Sequence, residues 1–372
     1  MRTARRHALL QLAALGGAIA FEARSLALAA GRSPEGAPAA RPPRPEALPA
    51  AVRGTLVWDN HSGFDPRPDF DLENLRDWHD AGVDYLSINV GYDVIDWQLT
   101  VRNLASYITW FEKRPDRFVL ARRAVDVLAA KRNGKMAITF DLEGMGALNG
   151  DAAMVSLYYR LGVRQMLIAY NRNNLAGGGC HDEDHGLTEF GRRVIEEMNR
   201  VGMVVDCSHS GHRTTMEVME MAKHPVIFSH SNPKALRAHG RNIGDDQIRA
   251  CARTGGVVGI NGIGLFLPDH DASTRSIVDC IEYVRKLVGP EHVGLGLDYS
   301  PPALEEALDD QLDQHRDYWP PAEYAEQGPT KDAGPDRFAK IAAELLERGW
   351  SPADTKLVLG GNFLRVATAV WQ

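Results

Sequence analysis

Histidines and carboxylates close several of the apolar runs in this chain, and those are the residue types that hold divalent metal ions. One run ends in Asp59-Asn60-His61 and another in Asp141-Leu142-Glu143-Gly144. Others end in Asp206-Cys207-Ser208-His209, Phe228-Ser229-His230 and Leu297-Asp298. Neutral imidazole and carboxylate bind Zn2+ and similar ions while leaving a position open for water. Taken singly, each has a plain structural explanation. A lone His after a strand commonly serves a loop or a cap, and Glu143 could cap a helix or pair with a base. Five such endings together point to one shared centre.

The runs that carry these residues are short and nearly continuous in apolar character. Eight strands are predicted, at 55–60, 85–90, 136–142, 165–170, 203–208, 225–229, 257–261 and 293–298. Between them lie amphipathic helical segments such as 71–81, 120–131, 188–201, 213–222 and 273–287. Continuous apolar strands are expected where helices cover one face and barrel packing fills the other. Strand then helix, repeated eight times, predicts an α/β fold of the (β/α)8 TIM-barrel type. An open doubly wound sheet is the alternative, but no GxGxxG follows the first run. In a parallel barrel all strands point one way, so the polar endings converge on one rim.

The remaining chain frames this unit. Its 372 residues are 44% hydrophobic, enough for a large core, and 49 acidic against 42 basic residues give a net charge of -7. No basic stripe interleaved with aromatics is present, so nucleic acid is not an expected partner. Residues 1–30 read as a signal peptide: Arg5-Arg6, an apolar run from Ala8 to Phe21, then small residues at Ala27-Leu28-Ala29-Ala30. That run is too short for a membrane span, and the paired arginines suggest twin-arginine export to the periplasm. Residues 31–54 form a Pro/Ala-rich tether, and 55–372 the barrel. An irregular loop is expected at 300–335, with helices resuming at 337–348 and 362–370. The four cysteines, Cys180, Cys207, Cys251 and Cys280, form no CxxC pair, and free thiols are favoured over disulfides.

The sequence resembles the membrane (renal-type) dipeptidases, metallopeptidases among the amidohydrolase-like barrels. The resemblance rests on Tyr159-Arg160-Leu161-Gly162-Val163-Arg164, then Asn171 and Asn173-Asn174. It continues through Gly186-Leu187-Thr188-Glu189-Phe190-Gly191 and Glu197-Met198-Asn199-Arg200-Val201-Gly202-Met203 to His209. Pro225-Val226-Ile227-Phe228-Ser229-His230-Ser231, Arg241-Asn242 and Gly361-Asn362-Phe363-Leu364-Arg365 complete it. The resemblance implies hydrolysis of dipeptides or a related small amide, with Zn2+ as cofactor, one or two ions per chain. By that likeness His61 and Glu143 hold one ion, and Glu143, His209 and His230 the other, with Glu143 bridging. Ions so placed activate a water for attack. Arg241 matches the residue that pairs with the substrate carboxylate, for which a planar guanidinium is suited. Asp298 matches the acid that passes a proton to the leaving amine. A homodimer is one assembly the resemblance leaves open.

Three positions depart from the family pattern. An Asp is usual two residues after the first His, where this chain has Gly63, leaving Asp65 as a substitute ligand. The family His that contacts the substrate carbonyl is here Tyr170, a phenol that can still donate to an oxyanion. An acid often found two residues after Asp298 is Ser300. These changes keep a second reading open: an altered or inactive member that binds or matures a peptide. Hydrolysis of a lactone or cyclic amide is a third.

Overall fold

The computed structural model describes residues 47–63, 67–301, 314–328 and 331–372. All of them belong to the unit Pro43–Gln372. Among the described residues eight strands are formed: β1 Trp58–Ser62, β2 Tyr85–Tyr92, β3 Phe118–Leu120, β4 Met136–Glu143, β5 Val163–Leu167, β6 Val204–Asp206, β7 Val258–Ile260 and β8 Val293–Leu295. Every named pair is parallel. One sheet runs β1-β2-β4-β5-β6, and β7 pairs with β8. Residues 225–229 join the two sheets through parallel bridges from Asp206 to Ile227 and from Phe228 to Val258. The circle closes where Asp298 N donates to His61 O at 3.1 Å and Gly63 N to Tyr299 O at 3.2 Å. The result is a closed parallel barrel of the expected (β/α)8 class. All residues of β1, β2 and β4 to β8 are buried, as covering on both faces requires.

The helices are α1 Arg76–Asp80, α2 Trp97–Glu112, α3 Ala124–Arg132, α4 Met154–Arg160, α5 Glu189–Val201 and α6 His212–Met221. They continue with α7 Asp245–Arg253, α8 Thr274–Val288, α9 Arg337–Glu347, α10 Pro352–Lys356 and α11 Asn362–Val370. Side-chain caps start several of them: Asp96 accepts from Leu99 N, Thr188 from Gly191 N and Ser273 from Ser276 N. Among the described residues, no helix is long and apolar enough to cross a membrane.

The two mouths of the barrel differ in character. At the strand beginnings, Trp58 and Tyr85 stack with ring centroids 3.5 Å apart. They pack with Ala137, Val204, Val257 and Phe363 of α11 into an apolar plug. The polar groups gather at the strand ends.

Several boundaries differ from the sequence expectations. The run at 165–170 pairs only as β5, because beyond Leu167 side chains replace the ladder: Ala169 N donates to Ser210 Oγ and Tyr170 N to Asp93 Oδ2. Residues 225–229 form bridges rather than a regular strand. The segment 71–81 is a 3-10 turn, Leu72–Leu75, followed by α1. Leu120, expected to open a helix, instead ends β3. The packed fold also reaches into the tether at 31–54, since Ala50–Val52 is a 3-10 turn whose Val52 is fully buried. The signal peptide and the tether up to residue 46 lie outside the described residues. All four cysteines are free, and three of them are buried.

Candidate metal centre and active site

His61 is the fourth residue of β1 and is completely buried. Its Nδ1 lies 3.3 Å from Asp141 Oδ1, and its Nε2 lies 3.5 Å from Glu143 Oε1 and 3.3 Å from Asp298 Oδ1. Neither ring nitrogen makes a hydrogen bond. Glu143, the last residue of β4, is the hub: its Oε1 is also 3.2 Å from His209 Nε2 and 3.3 Å from His230 Nε2. Those two nitrogens are 3.0 Å apart. The His61 and His230 rings stack with centroids 4.0 Å apart. The strand-end residues His61, Glu143, His209, His230 and Asp298 therefore meet in one place.

Tautomers show what the cluster can hold. His209 Nδ1 donates to Asn171 Oδ1 at 2.7 Å, which leaves Nε2 as a bare lone pair facing the Glu143 carboxylate. Two acceptors in that position repel unless a proton or a cation lies between them. Ligand atoms bonded to one ion at ~2.1 Å in tetrahedral arrangement sit about 3.4 Å from one another, close to the separations measured here. The donor atoms fall into two groups, Glu143 with His209 and His230, and His61 with His230 and Asp298, each within 4.8 Å. The residues present fit divalent metal ions.

The electrostatics agree with this fit. Burial drives His209 and His230 well below the usual imidazole range, helped by the nearby charges of Arg241 and His61. Burial also opposes a charged His61, yet Asp141 and Glu143 outweigh it and hold that imidazole well above its ordinary value. Glu143 is pushed up to about 8, first by burial and then by Asp298 and Asp141, with His61 opposing. These shifts describe carboxylates crowded out of water, a situation a cation relieves.

Around the cluster stand the other expected groups. Arg241 is 2% exposed, donates from Nη2 to His230 O at 3.3 Å, and leaves Nε without a hydrogen-bond partner. With His209, Cys180 and Lys234 it lines a cavity of about 270 Å³. The Tyr170 ring stacks on His209 at 4.2 Å, and burial, with the charge of Glu143, keeps its phenol protonated far above pH 10. Asp298 Oδ2 accepts from Asn261 Nδ2 at 2.9 Å. Gly63 carries no ligand, and a Cβ there would come within 2.6 Å of Ser300 Oγ and 3.2 Å of Asp298 Oδ1. Asp65, the substitute ligand expected for that site, lies outside the described residues.

Some contributors were not singled out from sequence. Asp93 binds Tyr170 N at 3.0 Å, Asn174 Nδ2 at 2.8 Å and Gly146 N at 2.7 Å, tying three strand-end loops together. Asn171, noted only within a motif, steers His209 and donates to Tyr318 O at 3.0 Å. Trp319, from the stretch expected to be irregular, packs edge-on to Tyr170 at 5.8 Å. Asp93 closes β2 as His61 closes β1, so the same strand-end reasoning reaches it. The aromatic density of 318–324 was the signal for this packing against Tyr170.

Comparison with known proteins identifies the family. Residues 67–315, about two thirds of the chain, match the profile of membrane dipeptidase (peptidase family M19). The chain belongs to the membrane dipeptidase family. It is 30% identical over 262 residues to the dipeptidase tcpJ of Claviceps purpurea, covering 68% of this chain and 56% of that one. Against the dipeptidase verJ of Clonostachys rogersoniana it is 30% identical over 275 residues, covering 73% of this chain and 65% of the relative. The matched stretch thus spans less than two thirds of these relatives. Among solved structures, an amidohydrolase from Pseudomonas aeruginosa superposes with a TM-score of 0.77 at 29% identity, covering 85% of this chain and 97% of that chain. A metallopeptidase from Rhodobacter sphaeroides, liganded with a phosphinate mimic of L-Ala-D-Ala, shares the fold with a TM-score of 0.69 at 19% identity, covering 85% and 100%. Membership of this metallopeptidase family implies a metal cofactor, and the histidine and carboxylate groups of the cluster could hold one.

Proposed function

We propose that this chain is a zinc-dependent dipeptidase that cleaves the amide bond of dipeptides or closely related small amides. The observation that carries the reading is Glu143 Oε1 lying 3.2–3.5 Å from Nε2 of three histidines, on the barrel rim that also presents a buried Arg241. A donor set rich in imidazole favours zinc, which when bound supplies Lewis acidity and lowers the pKa of water.

The chain's own groups divide the remaining work. Arg241, buried and with Nε unpaired, receives the substrate carboxylate and sets how deeply the dipeptide enters. Tyr170, held protonated beside His209, donates a hydrogen bond to the oxygen of the scissile carbonyl as charge develops there. Asp298, 3.3 Å from His61, exchanges a proton with the leaving nitrogen. Trp319 and Tyr92 pack edge-on against the Tyr170 ring and help bury it. Export to the periplasm, read from Arg5-Arg6 and the apolar run behind them, fits an enzyme that acts on small peptides outside the cytoplasm.

The test is hydrolysis of a dipeptide panel by zinc-loaded protein, with L-Ala-D-Ala included because the Rhodobacter metallopeptidase binds its mimic. Turnover that disappears with chelator and in Glu143→Ala is expected. A second reading, binding without cleavage, draws on Gly63 and Tyr170 standing where the family pattern has Asp and His. Metal-loaded protein that binds dipeptides but turns none over would replace the first reading with the second.

A further inference from the structure

We propose that Asp298 is itself a ligand of the cation on the His61 side, taking the coordinating role that position 63 cannot fill in this chain. The inference rests on the metal-dependent reading of the cluster and goes beyond the proton transfer expected of Asp298.

Against the family pattern, Gly63 removes one of the three residues expected on that side and leaves His61 and Glu143 of that set. The structure supplies a third atom. Asp298 Oδ1 stands 3.3 Å from His61 Nε2, close to the roughly 3.4 Å edge of a tetrahedral zinc site. His61 points a fully buried imidazole at this place, its Nε2 lying between Asp298 Oδ1 at 3.3 Å and Glu143 Oε1 at 3.5 Å. One imidazole nitrogen facing two carboxylate oxygens at these separations is the spacing expected of ligands around one cation.

Asp298 is also aimed. Its Oδ2 is held by Asn261 Nδ2 at 2.9 Å, and Asn261 is fixed in turn by its backbone N donating to Asn232 Oδ1 at 3.1 Å. A carboxylate with one oxygen fixed this way presents the other in a set direction, as outer partners of metal ligands do. The backbone of Asp298 donates to His61 O at 3.1 Å, so closure of the barrel sets the two ligands side by side. Asp298 adopts φ of 58°, a conformation a non-glycine residue pays for only where the surroundings impose it.

The space near position 63 is organised to match. Ser300 Oγ donates to Gly63 O, and any Cβ at 63 would press on both Ser300 Oγ and Asp298 Oδ1. The two departures, Gly63 and Ser300, thus meet beside Asp298: the side chain at 63 is gone and the Asp298 carboxylate occupies that side of the cluster. Holding a cation and accepting a proton are compatible in one carboxylate, whose oxygens have spare lone pairs.

The experiment is metal analysis of the full chain after zinc loading and dialysis, joined to anomalous diffraction at the zinc edge. Wild type is expected to retain two ions, with one peak within about 2.0–2.2 Å of Asp298 Oδ1. Asp298→Asn is expected to retain one ion, and Asn261→Ala to weaken the His61-side ion about tenfold. An Asp298→Asn chain holding as many ions as wild type, with equal affinity, overturns the assignment. So does a wild-type map with no ion bonded to Asp298, a result that needs no variant to fold. Two bound ions with no dipeptide turnover would remove the hydrolase reading and leave this one standing. Chelator-sensitive turnover with Asp298 free of any ion would do the reverse.

Discussion

His209 shows how a single neighbour decides what a ligand can do. Its Nδ1 proton is committed to Asn171 Oδ1, so only Nε2 is available to the cluster. Asn171 in turn sits at φ of 58°, a region that Asn tolerates better than most side chains. Asn171→Ala is expected to weaken zinc about 10–100-fold, the usual effect of removing an outer partner of a histidine ligand. It also adds ~1 kcal/mol of backbone cost. Asn171→Gly removes the same acceptor without that cost, so it should lose affinity equally while melting closer to wild type. Competition against a chromophoric chelator reads the affinity, and unchanged binding in both variants would refute the orienting role. The five strand-end residues were legible in sequence because each closes an apolar run. Asn171 was not, since its partner lies 38 residues away and only the fold brings the two together.

At the scale of elements, legibility followed how cleanly polarity repeats. Helices α5 and α8 were anticipated almost to their ends, with Thr188 and Ser273 as caps. Helix α2, sixteen residues long, was not, because its inward face buries Thr100 and Asn103 beside Leu104, Tyr107 and Phe111. Asn103 Nδ2 is satisfied by Val90 O at 3.1 Å, a long-range pairing invisible to periodicity. Residues 225–229 look like a strand and occupy a strand's place, yet Pro225 has no N–H to give and the pairing reduces to bridges. The connection after β8 was legible as an irregular loop but not as an aromatic wall. Tyr318 and Trp319 pack with Tyr92 and Tyr170, and Tyr324 OH hydrogen-bonds His181 Nε2 at 2.9 Å. Because Trp319 belongs to this wall and not to the main core, Trp319→Ala is expected to act on the site more than on the fold. KM for a dipeptide should rise about tenfold, worth ~1.4 kcal/mol, with kcat changed less. An unaltered KM would show that the wall does not touch bound substrate.

For the whole molecule, the two mouths of the barrel carry opposite burdens. The strand beginnings are sealed by apolar contact between Trp58, Tyr85 and α11, and contribute stability without chemistry. The strand ends gather buried Asp141, Glu143 and His61 with Asp298, contributed by β1, β4 and the turn after β8. Such a concentration of desolvated charge costs stability unless a cation offsets it. Because the ligands are scattered in sequence, the unfolded chain offers no comparable site, and binding therefore stabilises the folded barrel by mass action. With free zinc at about a thousand times Kd the gain is ~4 kcal/mol, which for a domain of this size corresponds to a rise in Tm of about 6 °C. Chelated protein should melt lower by that amount and recover on adding zinc back. In Glu143→Gln, which removes the carboxylate that stands beside His61, His209 and His230, the zinc-dependent increment should nearly vanish while the apo melting temperature stays near that of the wild-type apo chain. Calorimetry with and without zinc measures both. A wild-type chain whose Tm ignores zinc, or a Glu143→Gln variant that keeps the full increment, would mean that the ion is held somewhere other than this rim.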